Sequence, residues 1–161
     1  MKIGTRIGIA AGIILSVYIF SIRYFELTQN KFSICGIFLI IILGAVSSCL
    51  AFDKETNYTS SFGKIFGSGF ATTTSSILIT IIVVLLSSVI NPNLKTQEIN
   101  EIKTKMILDD RITKNDLEDQ INNQNKYYYY LKINTYSFPL LLSGALFSAL
   151  ASMAIAKKNK R

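Results

Sequence analysis

The chain has 161 residues, 50 % hydrophobic and 17 % charged, with a formal net charge of +7, two cysteines and no histidine. Without histidine or a spaced thiol pair, a transition-metal centre has little to be built from, and a histidine base is excluded. The charges are not spread at the every-third-or-fourth spacing of a water-soluble bundle, which excludes that architecture in favour of lipid-embedded helices.

Four stretches contain no charged side chain: between Arg6 and Arg23, Lys31 and Asp53, Lys64 and Lys95, and Lys132 and Lys157. Each is close to the ~17–25 residues that carry a helix across hydrocarbon. A bilayer core offers no water to backbone amides, so such blocks are expected to span as helices. The fold class is all-α: four transmembrane helices in an antiparallel bundle, at about 5–25, 33–52, 67–90 and 137–156. An amphipathic, helical extramembrane loop is expected over 91–136, and the whole chain forms one integral membrane domain.

The first block follows a basic start, as a signal peptide would, but no A-x-A-like site follows it, so it is expected to stay as an anchor. Gly4, Gly8, Gly12 and Ser16 fall at every fourth position and leave a flat face for close helix approach. In the second block, Val46-Ser47-Ser48-Cys49 loosely resembles a lipoprotein processing site, but it lies behind two apolar runs. Cys35 and Cys49 stand roughly 20 Å apart on one helix, too far for a disulfide, and are expected to act as small hydrophobes.

The entry to the third block holds Gly63, Gly67 and Gly69. This glycine run lacks the preceding strand and the Lys-Ser/Thr pair of a phosphate loop, so helix packing is its expected role. Gly69, Thr72, Ser76, Thr80 and Ser87 then share one arc of the helix, about 80° wide. Asn91-Pro92-Asn93 should end the third span. Ile99, Ile102 and Met106 recur at helical spacing and predict one amphipathic helix. Thr113 as N-cap with Asp116, and Ile112 with Leu117 as a staple, predict a second helix that continues through Ile121.

The acids Asp109, Asp110, Glu118 and Asp119 are interleaved with lysines and read as solvated faces, not as a catalytic pair. Tyr127, Tyr128, Tyr129, Tyr130 and Tyr136 are expected at the headgroup level, with a stacking site for a sugar or base as the rival. Pro139 is expected at the start of the last span, where Gly144, Ser148 and Ser152 form another small-residue face.

Both termini and the 53–68 loop share one side of a four-span protein. That side carries Lys2, Arg6, Lys54, Lys64, Lys157, Lys158, Lys160 and Arg161 against Asp53 and Glu55. The other side carries Arg23 and Lys31 in a short hairpin loop and a long segment with seven basic and seven acidic residues, so Lys and Arg alone count nearly evenly on the two sides. The acid-free tail after the last span (Lys157, Lys158, Lys160 and Arg161, at the membrane interface) and the basic N-terminus favour cytoplasmic termini.

Ser61-Phe62-Gly63-Lys64-Ile65-Phe66-Gly67-Ser68-Gly69-Phe70, the span that follows, and Ile90-Asn91-Pro92-Asn93-Leu94 before a charged helix carry a resemblance. The chain resembles an uncharacterised bacterial family of small four-helix membrane proteins, classed as a domain of unknown function. The resemblance in layout covers nearly the whole chain and implies an inner-membrane protein with a long loop between spans three and four. It implies no catalytic residues, and the Tyr127–Tyr130 run departs from it.

The expected function is therefore structural or interactive: a multi-pass protein of the bacterial inner membrane that associates with itself or with a partner membrane protein. The alternative is a small transport or permeation component with a Ser/Thr-lined path, although no span so delimited holds the charged handle such paths use. No enzyme activity, cofactor, nucleic acid or small-molecule ligand is expected. The one expected partner of certain chemistry is the lipid bilayer.

Overall fold

The computed structural model describes residues 2–25, 31–107 and 114–159. These are nearly all helical, with no strand among them: α1 (Ile3–Tyr24), α2 (Lys31–Glu55), α3 (Phe62–Ile90), α4 (Pro92–Ile107), α5 (Lys114–Lys126) and α6 (Tyr128–Lys158). Four of them, α1, α2, α3 and α6, are long and apolar enough to cross a membrane. At 1.5 Å per residue they measure about 33–47 Å, against about 30 Å of hydrocarbon.

The junctions follow local chemistry. α3 stops at Ile90, and the Asn91 amide donates to the Ser87 carbonyl at 3.0 Å. Pro92 opens α4, where its missing N–H removes no helical bond. The last long helix starts at Tyr128, earlier than 137, because it runs on through Pro139. An interior proline removes one backbone bond, which membrane helices tolerate better than soluble ones. The earlier start places Lys132 inside α6. In α4, Ile99, Ile102 and Met106 are half-buried, as are Leu117 and Ile121 in α5. The expected cap and staple at Thr113 and Ile112, the acids Asp109 and Asp110, and the side chain of Asp116 lie outside the described residues.

The contacts divide the chain into two units, Met1–Ile81 with Ser137–Arg161, and Ile82–Tyr136. In the first unit the contact register gives helix directions. α1 and α2 are antiparallel, Ala11 meeting Gly44 and Tyr18 meeting Ser33 and Gly36. α2 and α3 are antiparallel through Ser48 with Ser68 and Cys49 with Ile65. α3 and α6 are antiparallel through Gly69 with Ser148 and Thr73 with Gly144. α3 therefore touches all three other helices of its unit, which is why it carries the most buried hydroxyls.

The outside of the bundle is apolar, unlike that of a water-soluble one, and its interior mixes apolar and hydroxyl side chains. Ser48, Ser68, Thr72, Thr73, Ser76, Thr80, Ser148 and Ser152 are buried, whereas Leu43, Leu50, Leu78, Leu142, Leu146 and Leu150 face outward. In water such a surface would be a very large exposed apolar patch. In lipid it is the matched solvent, and the helices cohere through small residues and hydroxyls packed beside buried aliphatic side chains such as Leu15, Ile41 and Ile65.

This pattern makes Leu146→Lys diagnostic. Leu146 is 55 % exposed, so a water-soluble bundle would accept a lysine there with little change. In the apolar run of α6 the charge should cost about 2.5–3.5 kcal/mol of insertion. The expected outcome is reduced membrane-inserted protein relative to Leu146→Ala; equal accumulation of the two would count against a lipid-facing Leu146.

Candidate functional site

The small-residue faces come first, since they position everything else in the first unit. A Cβ on Gly4 would run into the Ser68 carbonyl oxygen. One on Gly8 would lie 2.7 Å from the Thr72 carbonyl oxygen, and one on Gly12 2.9 Å from that of Ser76. α1 and α3 thus run parallel with a constant register, backbone against backbone. Only glycine allows this approach, which leaves no room for a methyl group. Two hydroxyls reach across it, each sharing one proton with a carbonyl of its own helix: Thr72 lies 2.8 Å from the Gly4 oxygen and 3.1 Å from that of Ser68, and Ser76 2.9 Å from the Gly8 oxygen and 2.8 Å from that of Thr72.

Other members of the expected set are placed differently. Thr80 donates within α3 to the Ser76 carbonyl, and Ser16 within α1 to that of Gly12. Gly144 receives the Thr73 side chain. Gly69 lets Cys49 and Ser148 approach, while Ser152 lies 3.7 Å from the Cys49 sulfur. The Ser148 hydroxyl is buried without a hydrogen-bond partner in this seam. Gly63 and Gly67 are different again. Among the described residues, nothing lies within 4 Å of their missing Cβ positions. Gly36, absent from the expected set, takes the Tyr18 ring.

The second unit holds the most concentrated polar chemistry. Lys132, on the first turns of α6, is 7 % exposed. Its ammonium bonds to Ser88 Oγ at 3.0 Å, to Glu98 Oε2 and Oε1 at 3.0 and 3.1 Å, and to the Tyr128 hydroxyl at 2.6 Å. The Tyr128 hydroxyl donates in turn to Glu98 Oε2 at 2.6 Å. Lys95 stands outside this network, 5.5 Å from the Tyr128 ring centroid, and donates to the Asn125 carbonyl.

The lysine's three donors thus meet a serine, a carboxylate and a phenol. A charge removed from water demands such partners. Ser88 ends α3, Glu98 lies on α4, and Tyr128 and Lys132 open α6, so the cluster ties three helices together. The geometry is that of a clamp: the ammonium's contacts run from α6 to α3 and α4.

Of the tyrosine run, Tyr128 points into this cluster, while Tyr127, Tyr129 and Tyr130 are exposed and Tyr136 is half-buried. Tyr127 and Tyr130 line an open groove of about 420 Å³ with Gln120, Asn123, Gln124 and Leu131. Lys157 and Lys158 lie exposed in the last turn of α6, and Lys160 and Arg161 fall outside the described residues. Sequence reasoning missed the Lys132 cluster. Its only sequence signal is Tyr128-x-x-x-Lys132, which stacks the two side chains on one helix face.

These features define a small helical membrane protein with four helices of spanning length. The chain belongs to the family described as Protein of unknown function (DUF4199), whose model matches residues 6–158. No curated protein and no solved structure matches it.

The clamp yields a double-mutant prediction. Lys132→Met leaves Glu98 without its cation, and Glu98→Gln removes the carboxylate. Breaking a buried pair costs about 3–5 kcal/mol, and the lower end applies here because the Glu98 side chain is 28 % exposed. Unfolding in mixed micelles should show the double variant less destabilised than the sum of the singles, by about 1–3 kcal/mol. Strict additivity would mean the two side chains are energetically independent.

Proposed function

We propose that this chain is a multi-pass protein of the bacterial cytoplasmic membrane, with both termini cytoplasmic. In this reading it works by association, with itself or with a partner membrane protein, and not as an enzyme. The observation that carries it is the contrast between two glycine faces. Gly4, Gly8 and Gly12 are filled by α3 of the same chain, whereas Gly63 and Gly67 face open space. Phe62, Phe66 and Phe70 stack beside them with centroids 6.0 and 5.8 Å apart. A flat glycine surface next to rigid rings suits close helix packing, because van der Waals contact is what lipid leaves available as a driving force.

The reading predicts disulfide capture. With Cys35→Ser and Cys49→Ala removing the native thiols, Gly67→Cys in membranes should oxidise to a homodimer or to an adduct with one partner. Leu146→Cys, on the outer side of α6, should not. Equal crosslinking of both positions, or none at Gly67→Cys, would end the proposal.

The rival reading, a permeation path along the Ser/Thr stripe, has the geometry against it. Thr72 and Ser76 donate to α1 carbonyls across a contact too close for a channel. The basic residues at the end that holds both termini support the cytoplasmic placement. An impermeant thiol reagent on intact cells and on inverted vesicles reads both points. Ser76→Cys should be protected from either side, and Lys157→Cys should label only in inverted vesicles. Labelling of Ser76→Cys would favour a water-filled path, and labelling of Lys157→Cys in intact cells would reverse the orientation.

A further inference from the structure

One end of the first unit gathers the starts of α1 and α3 and the ends of α2 and α6. Contacts fix this convergence: Gly4 meets Ser68, and the Asn159 amide donates to Asp53 Oδ1 at 2.6 Å. Each of the four helix ends presents at least one exposed cation. They are Lys2 and Arg6 at α1, Lys54 at α2, Lys64 at α3, and Lys157 and Lys158 at α6. Two carboxylates stand among them, and one of these, Asp53, is 4 % exposed and held by Asn159. Glu55 is the exposed carboxylate of this end.

The helix dipole separates these cations into two groups. Lys54, Lys157 and Lys158 lie in the last turns of their helices, where a positive charge is favoured. Lys2, Arg6 and Lys64 lie at helix N-termini, where it is disfavoured. Neither α1 nor α3 has an acidic residue in its first turn to offset it. Cations added to the positive end of a helix make sense where an anion from outside the chain sits against both. These cations lie at the ends of helices whose flanks are leucine and isoleucine, and a spanning helix of that kind brings its end to the headgroup level.

We infer that this collar is a binding surface for anionic phospholipid headgroups, centred on Lys2, Arg6 and Lys64. The lipid phosphate accepts from the side chains, while its acyl chains lie along the apolar flanks of the helices. This surface does not depend on self-association through Gly67.

The test uses the full chain in micelles doped with equal phosphatidylglycerol and phosphatidylcholine, with retained lipids counted by native mass spectrometry. The wild type should retain phosphatidylglycerol preferentially. Lys2→Gln/Arg6→Gln/Lys64→Gln together should lower that preference about tenfold, and more than Lys157→Gln/Lys158→Gln does. A control at Lys103→Gln/Lys126→Gln, in the second unit, should retain the wild-type preference. Inorganic phosphate at millimolar concentration should not displace the lipid; displacement would mean a free-phosphate site and overturn the lipid assignment. Equal retention of the two lipids by the wild type, or an unchanged preference in the triple variant, would also overturn it. Should the triple variant fail to fold, Lys64→Gln alone carries the same comparison.

Discussion

The contact between α1 and α3 is the interaction on which the first unit rests. Hydrocarbon supplies no hydrophobic drive for one helix to leave lipid and join another, so cohesion must come from contacts closer than lipid can make. Gly4, Gly8 and Gly12 meet Ser68, Thr72 and Ser76 at one register, offset by the same number of residues at each step. Two side-chain hydroxyls then reach main-chain carbonyls that are already bonded within α1. Each such bond is worth on average only about 0.6 kcal/mol, so their value lies as much in fixing the register as in energy. A slip by one residue would set Ile7 or Ile9 against the α3 backbone, where no side chain fits.

The same solvent rule governs the charge inside the second unit. Lys132 follows the exposed Leu131 and precedes an apolar run, a position from which a lysine ordinarily extends its amine towards water. Here the amine turns inward, and the structure supplies a carboxylate, a phenol and a hydroxyl to receive it. Pairing of this kind adds little net stability compared with an apolar filling of equal shape. What it adds is specificity: the end of α3, α4 and the start of α6 share one arrangement in which every donor is met.

Much of the fold was legible in the sequence because lipid imposes a one-dimensional signal. The charge-free blocks between Arg6 and Arg23 and between Lys64 and Lys95 delimit α1 and α3 to within a few residues. The Asn91-Pro92 break is equally local, since a proline favours a helix start. The spacing of Gly4, Gly8 and Gly12 marks a face that packs, yet it does not say on what. Gly63 and Gly67 have the same four-residue spacing and pack on nothing among the described residues, because α3 directs that side away from its neighbours in the first unit. Direction around a helix axis is a property of the assembled bundle. Lys132 and Glu98 were illegible for a related reason: they lie 34 residues apart on helices with no shared periodicity. Tyr128 also sat within four consecutive tyrosines, a composition that covers every side of a helix and so names none.

The two kinds of polar residue in this protein therefore answer different constraints. Inside the first unit, several buried serines and threonines need no partner on another helix, because they return the proton to a carbonyl one turn back, as Thr73 does to Gly69 and Thr80 to Ser76, while Ser148 is buried with no partner. That local bond keeps the hydroxyl satisfied whether or not another helix is present, so a seam rich in such residues can form with few stranded polar groups. A lysine has no local refuge of this kind, since its three donors exceed what one turn of backbone can accept. Hydroxyls can accordingly be distributed along the length of α3, whereas the buried ammonium occurs at one place where three helix segments converge. The cations of the collar escape both constraints by lying in the headgroup region, where water and phosphate are at hand. This division explains why Lys64, at the very start of α3, stays exposed although Ile65, its immediate neighbour, is fully buried.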